Sequence, residues 1–156
     1  MPPFILTTLI YAVRDGQVLM MHRYKEPNLG LWVAPGGKLH DDETPRECAI
    51  RELREETGLE AVDPQLRAII TELSARKDWQ WLMFVYRTEV ADGEVVSDER
   101  EGRLRWFPIA EIASLPIPEA DAIFNPLVLD QRGPALELKF VYDDALRLIH
   151  WQKAAI

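Results

Sequence analysis

A chain of 156 residues, 47% hydrophobic and 28% charged, has the size and composition of one globular domain with a substantial core. Its 26 acids against 18 lysines and arginines leave a net charge of −8, which argues against a polymeric nucleic acid as partner because that needs a basic stripe. The single cysteine, Cys48, excludes an intramolecular disulfide framework and a multi-cysteine zinc site; the apolar run from Phe4 to Val13 is too short to span a bilayer, so no membrane partner and a cytoplasmic location are expected.

Phe4 to Val13 and Val18 to His22 read as a β-hairpin, with Asp15-Gly16 supplying the positive φ angles of a tight turn. "YKEPNLG" is a loop, and "LWVAPGGKL" runs from a short strand into a glycine turn. The strongest helix signal follows in "DDETPRECAIRELREETG". Thr44 is placed to cap it, Pro45 to occupy the first helical position, Glu47 to complete a capping box, and Gly58 to end it. Leu66 to Leu73 and Trp81 to Val90 have strand character, as does Leu104 to Phe107, which leads into a short helix near Ile109 to Ser114. A further helix is expected from Glu119 or Asp121; the closing "ALELKFVYDDALRLIHW" alternates as two strands about Asp143-Asp144, with a helical second half as the alternative. Mixed strands with two main helices indicate an α+β or layered α/β/α domain.

Within the capped helix, Glu52, Glu55 and Glu56 crowd together. At about 100° per residue, Glu56 lies about +40° and Glu55 about −60° from Glu52, so the three share an arc of roughly 100°. Arg51 can reach Glu47 and Glu55 at one-turn spacing, which leaves Glu52 and Glu56 uncompensated. A solvated surface helix would tolerate that, but Ala49, Ile50, Leu53 and Thr57 place these two acids at the border of the core-facing stripe. Partly desolvated carboxylates need a cation. Asp41 to Glu60 holds eight acids against three arginines, so the excess negative charge is concentrated beside the glycine turn.

Extended backwards, the stretch is "GGKLHDDETPRECAIRELREETGL", with five residues between Gly37 and Glu43, seven more before Arg51, and then Arg-Glu-Leu-x-Glu-Glu-x-Gly-Leu. It resembles the Nudix box of the Nudix hydrolases at every fixed position. The N-terminal hairpin, "GLWVAPGGK", "SDEREGRLRWFPIAEI" and "LKFVYDD" resemble the MutT-like branch, which hydrolyses nucleoside triphosphates, including oxidised purine forms. The resemblance implies one Nudix domain over residues 1–156, a mixed β-sheet sandwiched between α-helices, and a catalytic loop–helix–loop at Gly36 to Leu59.

It further implies a Mg2+ cofactor, with Mn2+ as a substitute, held by Glu52, Glu55 and Glu56 with a carbonyl from Gly36. Arg51 and Glu43 take the supporting role of orienting the acids. Glu99 matches an acid that related members place opposite the box as ligand or base, with Asp98 the adjacent competitor. The reaction implied is attack of water on a phosphorus of a nucleoside triphosphate, giving a nucleoside monophosphate and pyrophosphate.

Arg23, Lys25 and Lys38 are candidates for phosphate contact, and each is also an ordinary surface cation on spacing alone. Trp79, Trp81 and Phe84, with the "PIPEADAIF" loop that contains Ile117 and Glu119, are candidates for a base pocket, with core packing as the alternative for each. Val33 stands where members that recognise oxidised purines commonly carry asparagine, so the base preference stays open. Hydrolases of ADP-ribose, nucleotide sugars or dinucleoside polyphosphates, and a non-catalytic nucleotide-binding module, remain alternatives, as do a monomer and a homodimer. Thr71 to Asp78 lacks the proline or tyrosine that ADP-ribose and dinucleoside polyphosphate members often carry, which counts against those two.

Overall fold

The computed structural model describes residues 3–97 and 99–156. Strand β1 (Ile5–Arg14) turns through Asp15 (φ 52°) and Gly16 (φ 75°) into β2 (Gln17–Arg23), as the dipeptide predicts. β3 (Trp32–Val33) and β4 (Gly36–Lys38) follow, then α1 (Pro45–Thr57), β5 (Ala61–Ser74), β6 (Trp81–Val90) and β7 (Gly102–Pro108). A 3-10 helix (Ile109–Ser114) leads to α2 (Glu119–Leu129), and β8 (Leu136–Tyr142) and β9 (Leu148–Ala155) close the chain. The short helix expected near Ile109 to Ser114 is present and is of the 3-10 type. The C-terminal segment is a strand, because the turn between Asp143 and Arg147, joined by backbone and side-chain hydrogen bonds to Asp143, sends the chain back along β8.

The strands form one mixed sheet in the order β3-β2-β1-β6-β5-β8-β9, with β4 paired to β1 and β7 to β2. β1 runs parallel to β6 and β5 parallel to β8, while the other pairs are antiparallel. β5 starts at Ala61, five residues before the hydrophobic alternation becomes visible. Its early part crosses a register shift between Val62 and Gln65, where the Thr88 hydroxyl accepts from the Val62 N–H and donates to the Val62 carbonyl.

Alternation along β1 separates two cores. Ile10 and Ala12 pack with Ala49 and Leu53 of α1 on one face, whereas Tyr11 and Val13 pack with Phe124 and Val128 of α2 on the other. Fully buried anchors such as Leu53 and Phe124 each contribute about 2–3 kcal/mol of burial. The expected sandwich of a mixed sheet between helices is what forms. Phe84, in phase with the α1 face, packs there and not beside Trp79 and Trp81.

Candidate active site

Both ends of α1 are fixed as the sequence predicts. The Thr44 hydroxyl accepts from the Glu47 N–H at 3.1 Å, Pro45 opens the helix, and Gly58 (φ 75°) closes it with its N–H on the Arg54 carbonyl at 2.9 Å. With Ala49 and Leu53 turned into the core, Glu52 lies at the boundary with a side chain only 14% exposed, while Glu55 extends into solvent. β4 passes directly over these acids. The Gly36 N–H donates to Glu56 Oε2 at 3.4 Å, and a Cβ on Gly37 would sit 2.5 Å from Glu52 Oε1. A side chain at Gly37 would therefore displace the Glu52 carboxylate.

The Glu56 carboxyl is pushed well above the usual range by burial first, then by the neighbouring Glu52, with a further contribution from Glu101. Two acids held together in this way need a proton or a cation between them.

Arg51 does more than helical spacing predicts. Its Nε and Nη2 donate to Glu43 Oε2 and Oε1 at 2.9 and 2.6 Å, and its Nη1 donates to Glu52 Oε1 at 2.8 Å and Glu55 Oε2 at 3.1 Å. Glu43, which also accepts the His40 N–H at 2.8 Å, takes the place expected for Glu47. The bidentate grip on Glu43 turns the guanidinium so that its free edge reaches Glu52, a contact that spacing along an isolated helix does not provide. Arg51 in turn holds the Glu43 carboxyl well below the usual range. Cys48 is a buried neighbour of this network, with Sγ 3.4 Å from the Thr8 hydroxyl.

A cavity of about 380 Å³ opens over the acids. Glu52, Glu55 and Glu56 line one side, and Met21, Lys25, Ser97, Arg100 and Glu101 line the rest. Glu101 is the residue that sequence reasoning missed. It immediately precedes Gly102, where a Cβ would lie 2.2 Å from the His22 carbonyl oxygen, and it pairs with Lys25 at 3.6 Å. Glu99, two residues earlier, is exposed in a left-handed turn (φ 57°), with its N–H on the Ser97 hydroxyl, and is not part of the lining. Asp98 lies outside the described residues. A glycine required for close strand approach directly after an acid was the available signal for Glu101.

The other candidates are dispersed. Arg23 Nε donates to the Pro27 carbonyl at 2.7 Å, tying down its own loop, and Lys38 is exposed on β4. Trp81 and Ile117 lie on the α2 side of the sheet, away from the acidic cavity, and Glu119 is exposed in the first turn of α2.

The chemistry of the donors fits a hard divalent cation. Glu52, Glu55, Glu56 and Glu101 supply carboxylate oxygens only, and Gly37 leaves the space that Glu52 occupies. Among the described residues, no three His, Cys, Asp or Glu side chains are already gathered closely enough to form a metal cluster. No helix among them is long and apolar enough to cross a membrane.

Comparison with known proteins agrees with this geometry. Residues 3–128 match the NUDIX domain. YvcI, an uncharacterised Nudix hydrolase of Bacillus subtilis, is 33% identical over 141 residues, covering 88% of this chain and 87% of that one. A protein of Mycobacterium tuberculosis named putative 8-oxo-dGTP diphosphatase 3 is 36% identical over 107 residues, covering 64% of this chain and 48% of that protein. The crystal structure of a MutT protein from Bacillus halodurans superposes with a TM-score of 0.85 at 28% identity, over 96% of this chain and 97% of the other. The chain belongs to the Nudix family and is a MutT-like hydrolase of phosphoric anhydride bonds.

Proposed function

We propose that this protein is a Mg2+-dependent nucleoside triphosphate pyrophosphohydrolase that acts as a single domain over residues 1–156. The observation that carries the reading is the convergence of Glu52, Glu55, Glu56 and Glu101 on one cavity that also contains Lys25. The carboxylates of Glu52, Glu55, Glu56 and Glu101, with the Gly36 carbonyl, would hold the cation. When bound, Mg2+ supplies Lewis acidity to water and charge neutralisation to phosphate oxygens.

The chain's own groups do the rest. Glu56, which lines the cavity beside Glu52, would in its carboxylate form take a proton from the attacking water, and Arg51 keeps Glu52 aimed into the cavity. Lys25 offers its ammonium to the phosphates by leaving Glu101. Water adds at one phosphorus, the adjoining P–O bond breaks, and the products are a nucleoside monophosphate and pyrophosphate. The relative from Mycobacterium supports a triphosphate as substrate by its name.

The reading is tested by measuring pyrophosphate release from ATP, GTP, CTP, UTP and 8-oxo-dGTP, with Mg2+ and with EDTA. Turnover with Mg2+ and none with EDTA is expected; no turnover of any nucleotide overturns it. The same assay tests the assignment of the fourth acid. Glu101→Gln is expected to lower kcat/KM by about ten-fold or more, and Glu99→Gln by less than about three-fold. The reverse order would return Glu99 to the site.

A further inference from the structure

The sheet leaves one long edge open. Among the described residues β9 is paired only with β8, and its residues from Ile149 to Ala155 are exposed. The Ile156 N–H donates to the Ala135 carbonyl at 2.9 Å, and the antiparallel register continues through Gln152 with Lys139 and His150 with Val141. Alternate residues of such a ladder turn their backbone groups to the partner strand, so those of Trp151, Lys153 and Ala155 point away from β8. A row of outward N–H and C=O groups is a template for another strand.

The other side of the sheet is protected against such pairing. β3 is two residues long, and β7, which pairs with β2 alone among the described strands, carries the exposed charges of Arg103 and Arg105 and ends on Pro108. Shortness, charge and proline each keep an edge from pairing. β9 has one lysine in its eight residues and instead exposes Ile149 (63%) and Trp151 (38%).

The same strand borders an apolar groove of about 410 Å³ beside the end of α2. Pro126, Leu127, Pro134 and Leu136 line it, with Lys153 and Ala155 of β9. Lys153 and Ala155 stand opposite the buried Leu138 and Leu136, and Trp151 stacks on Phe140 with ring centroids 6.1 Å apart, so all three side chains lie on the α2 face. An apolar knob therefore precedes Gln152 and an apolar groove follows it, on one face of one strand. This offset is self-complementary.

We propose that two copies of this chain join β9 to β9 in antiparallel fashion about a two-fold axis at Gln152, continuing the sheet from one copy into the other. The axis sets Trp151 opposite Lys153 of the second copy, and the same contact recurs on its other side. The outward backbone groups of these residues bond to each other, the ammonium lies against the indole, and each tryptophan reaches the groove of the other copy. Neighbouring registers do worse. An axis at Lys153 puts two ammonium groups face to face, an axis at Trp151 moves the tryptophan away from the groove, and an axis between residues sets outward backbone groups against inward ones.

Sedimentation equilibrium of the full chain is expected to show a dimer that dissociates on dilution. Lys153→Pro removes an outward N–H and leaves the β8–β9 bonds in place, so this variant should be monomeric where wild type is dimeric. Gln152→Cys provides the positional test. The axis makes residue 152 face its own copy as a non-hydrogen-bonded pair, with Cα atoms about 4.5 Å apart, within reach of a disulfide. With oxidised glutathione as the oxidant, reduced to two thiols as the disulfide forms, Gln152→Cys should become mostly covalent dimer. Trp151→Cys, which faces Lys153 and not itself, should not, and Cys48 is fully buried and does not compete. A wild type that stays monomeric up to about 0.1 mM, a dimer that survives Lys153→Pro, or cross-linking no more efficient at position 152 than at 151 overturns the proposal. Should Lys153→Pro fail to fold, wild-type sedimentation and the cross-linking pair decide.

Discussion

Glu56→Gln is expected to lower kcat/KM by at least about 10³-fold on whichever nucleotide wild type prefers, without loss of thermal stability. Glutamine keeps the shape of Glu56 and can still pair with Glu52, so the packing of α1 through Ala49 and Leu53 is untouched. What it removes is the charge and the basic oxygen. Because Glu56 is half-buried and feels the charges of Glu52 and Glu101, the substitution removes the cost of its own charge in the folded state, and the melting temperature should stay level or rise. Steady-state kinetics beside a thermal melt checks both halves. Near-wild-type turnover in a folded Glu56→Gln protein would remove the acid from the mechanism.

The second large effect is expected at Arg51. Its guanidinium is 19% exposed and serves Glu43, Glu52 and Glu55 together, with Glu43 itself only 9% exposed. Arg51→Ala leaves Glu43, Glu52 and Glu55 at a core boundary without the guanidinium that pairs with all three. Breaking a buried pair costs about 3–5 kcal/mol, and the partial exposure here places the effect near about 3 kcal/mol. For a domain of this size that is a fall in Tm of roughly 6–12 °C. Activity should drop about ten- to hundred-fold in the same variant, because Glu52 loses the group that aims it. Arg51→Lys should recover only part of either loss, since an ammonium cannot grip Glu43 with two parallel bonds. A melt of Arg51→Ala superimposable on wild type would show that the network is ornamental.

The parts of this protein that were legible in the sequence are those specified by local chemistry. Thr44, Pro45 and Gly58 mark α1 because each satisfies a helix-end requirement within a few residues. Glu52, Glu55 and Glu56 announce a site because helical periodicity alone puts them on one arc. Long-range pairing was not legible. The parallel β1–β6 ladder joins residues 76 apart in sequence, as in Ile5 with Trp81, and the strand identity of β9 depends on β8 being beside it.

The fourth acid illustrates the same limit within the site. Glu99 and Glu101 are both surface-like glutamates in "SDEREG", and only the folded β2–β7 pairing shows that Glu101 reaches the cavity. Arg51 was assigned neighbours along the helix, whereas its strongest partner, Glu43, comes from the loop before it.

Everything proposed for the acidic cavity depends on the bond that is broken. Phosphorus NMR of a nucleoside triphosphate incubated with the wild-type protein and Mg2+ reads that bond without any coupled enzyme. Equal amounts of nucleoside monophosphate and pyrophosphate, absent when EDTA replaces Mg2+, are the predicted result. Nucleoside diphosphate with inorganic phosphate, or the same products formed equally well without a divalent cation, would contradict the account.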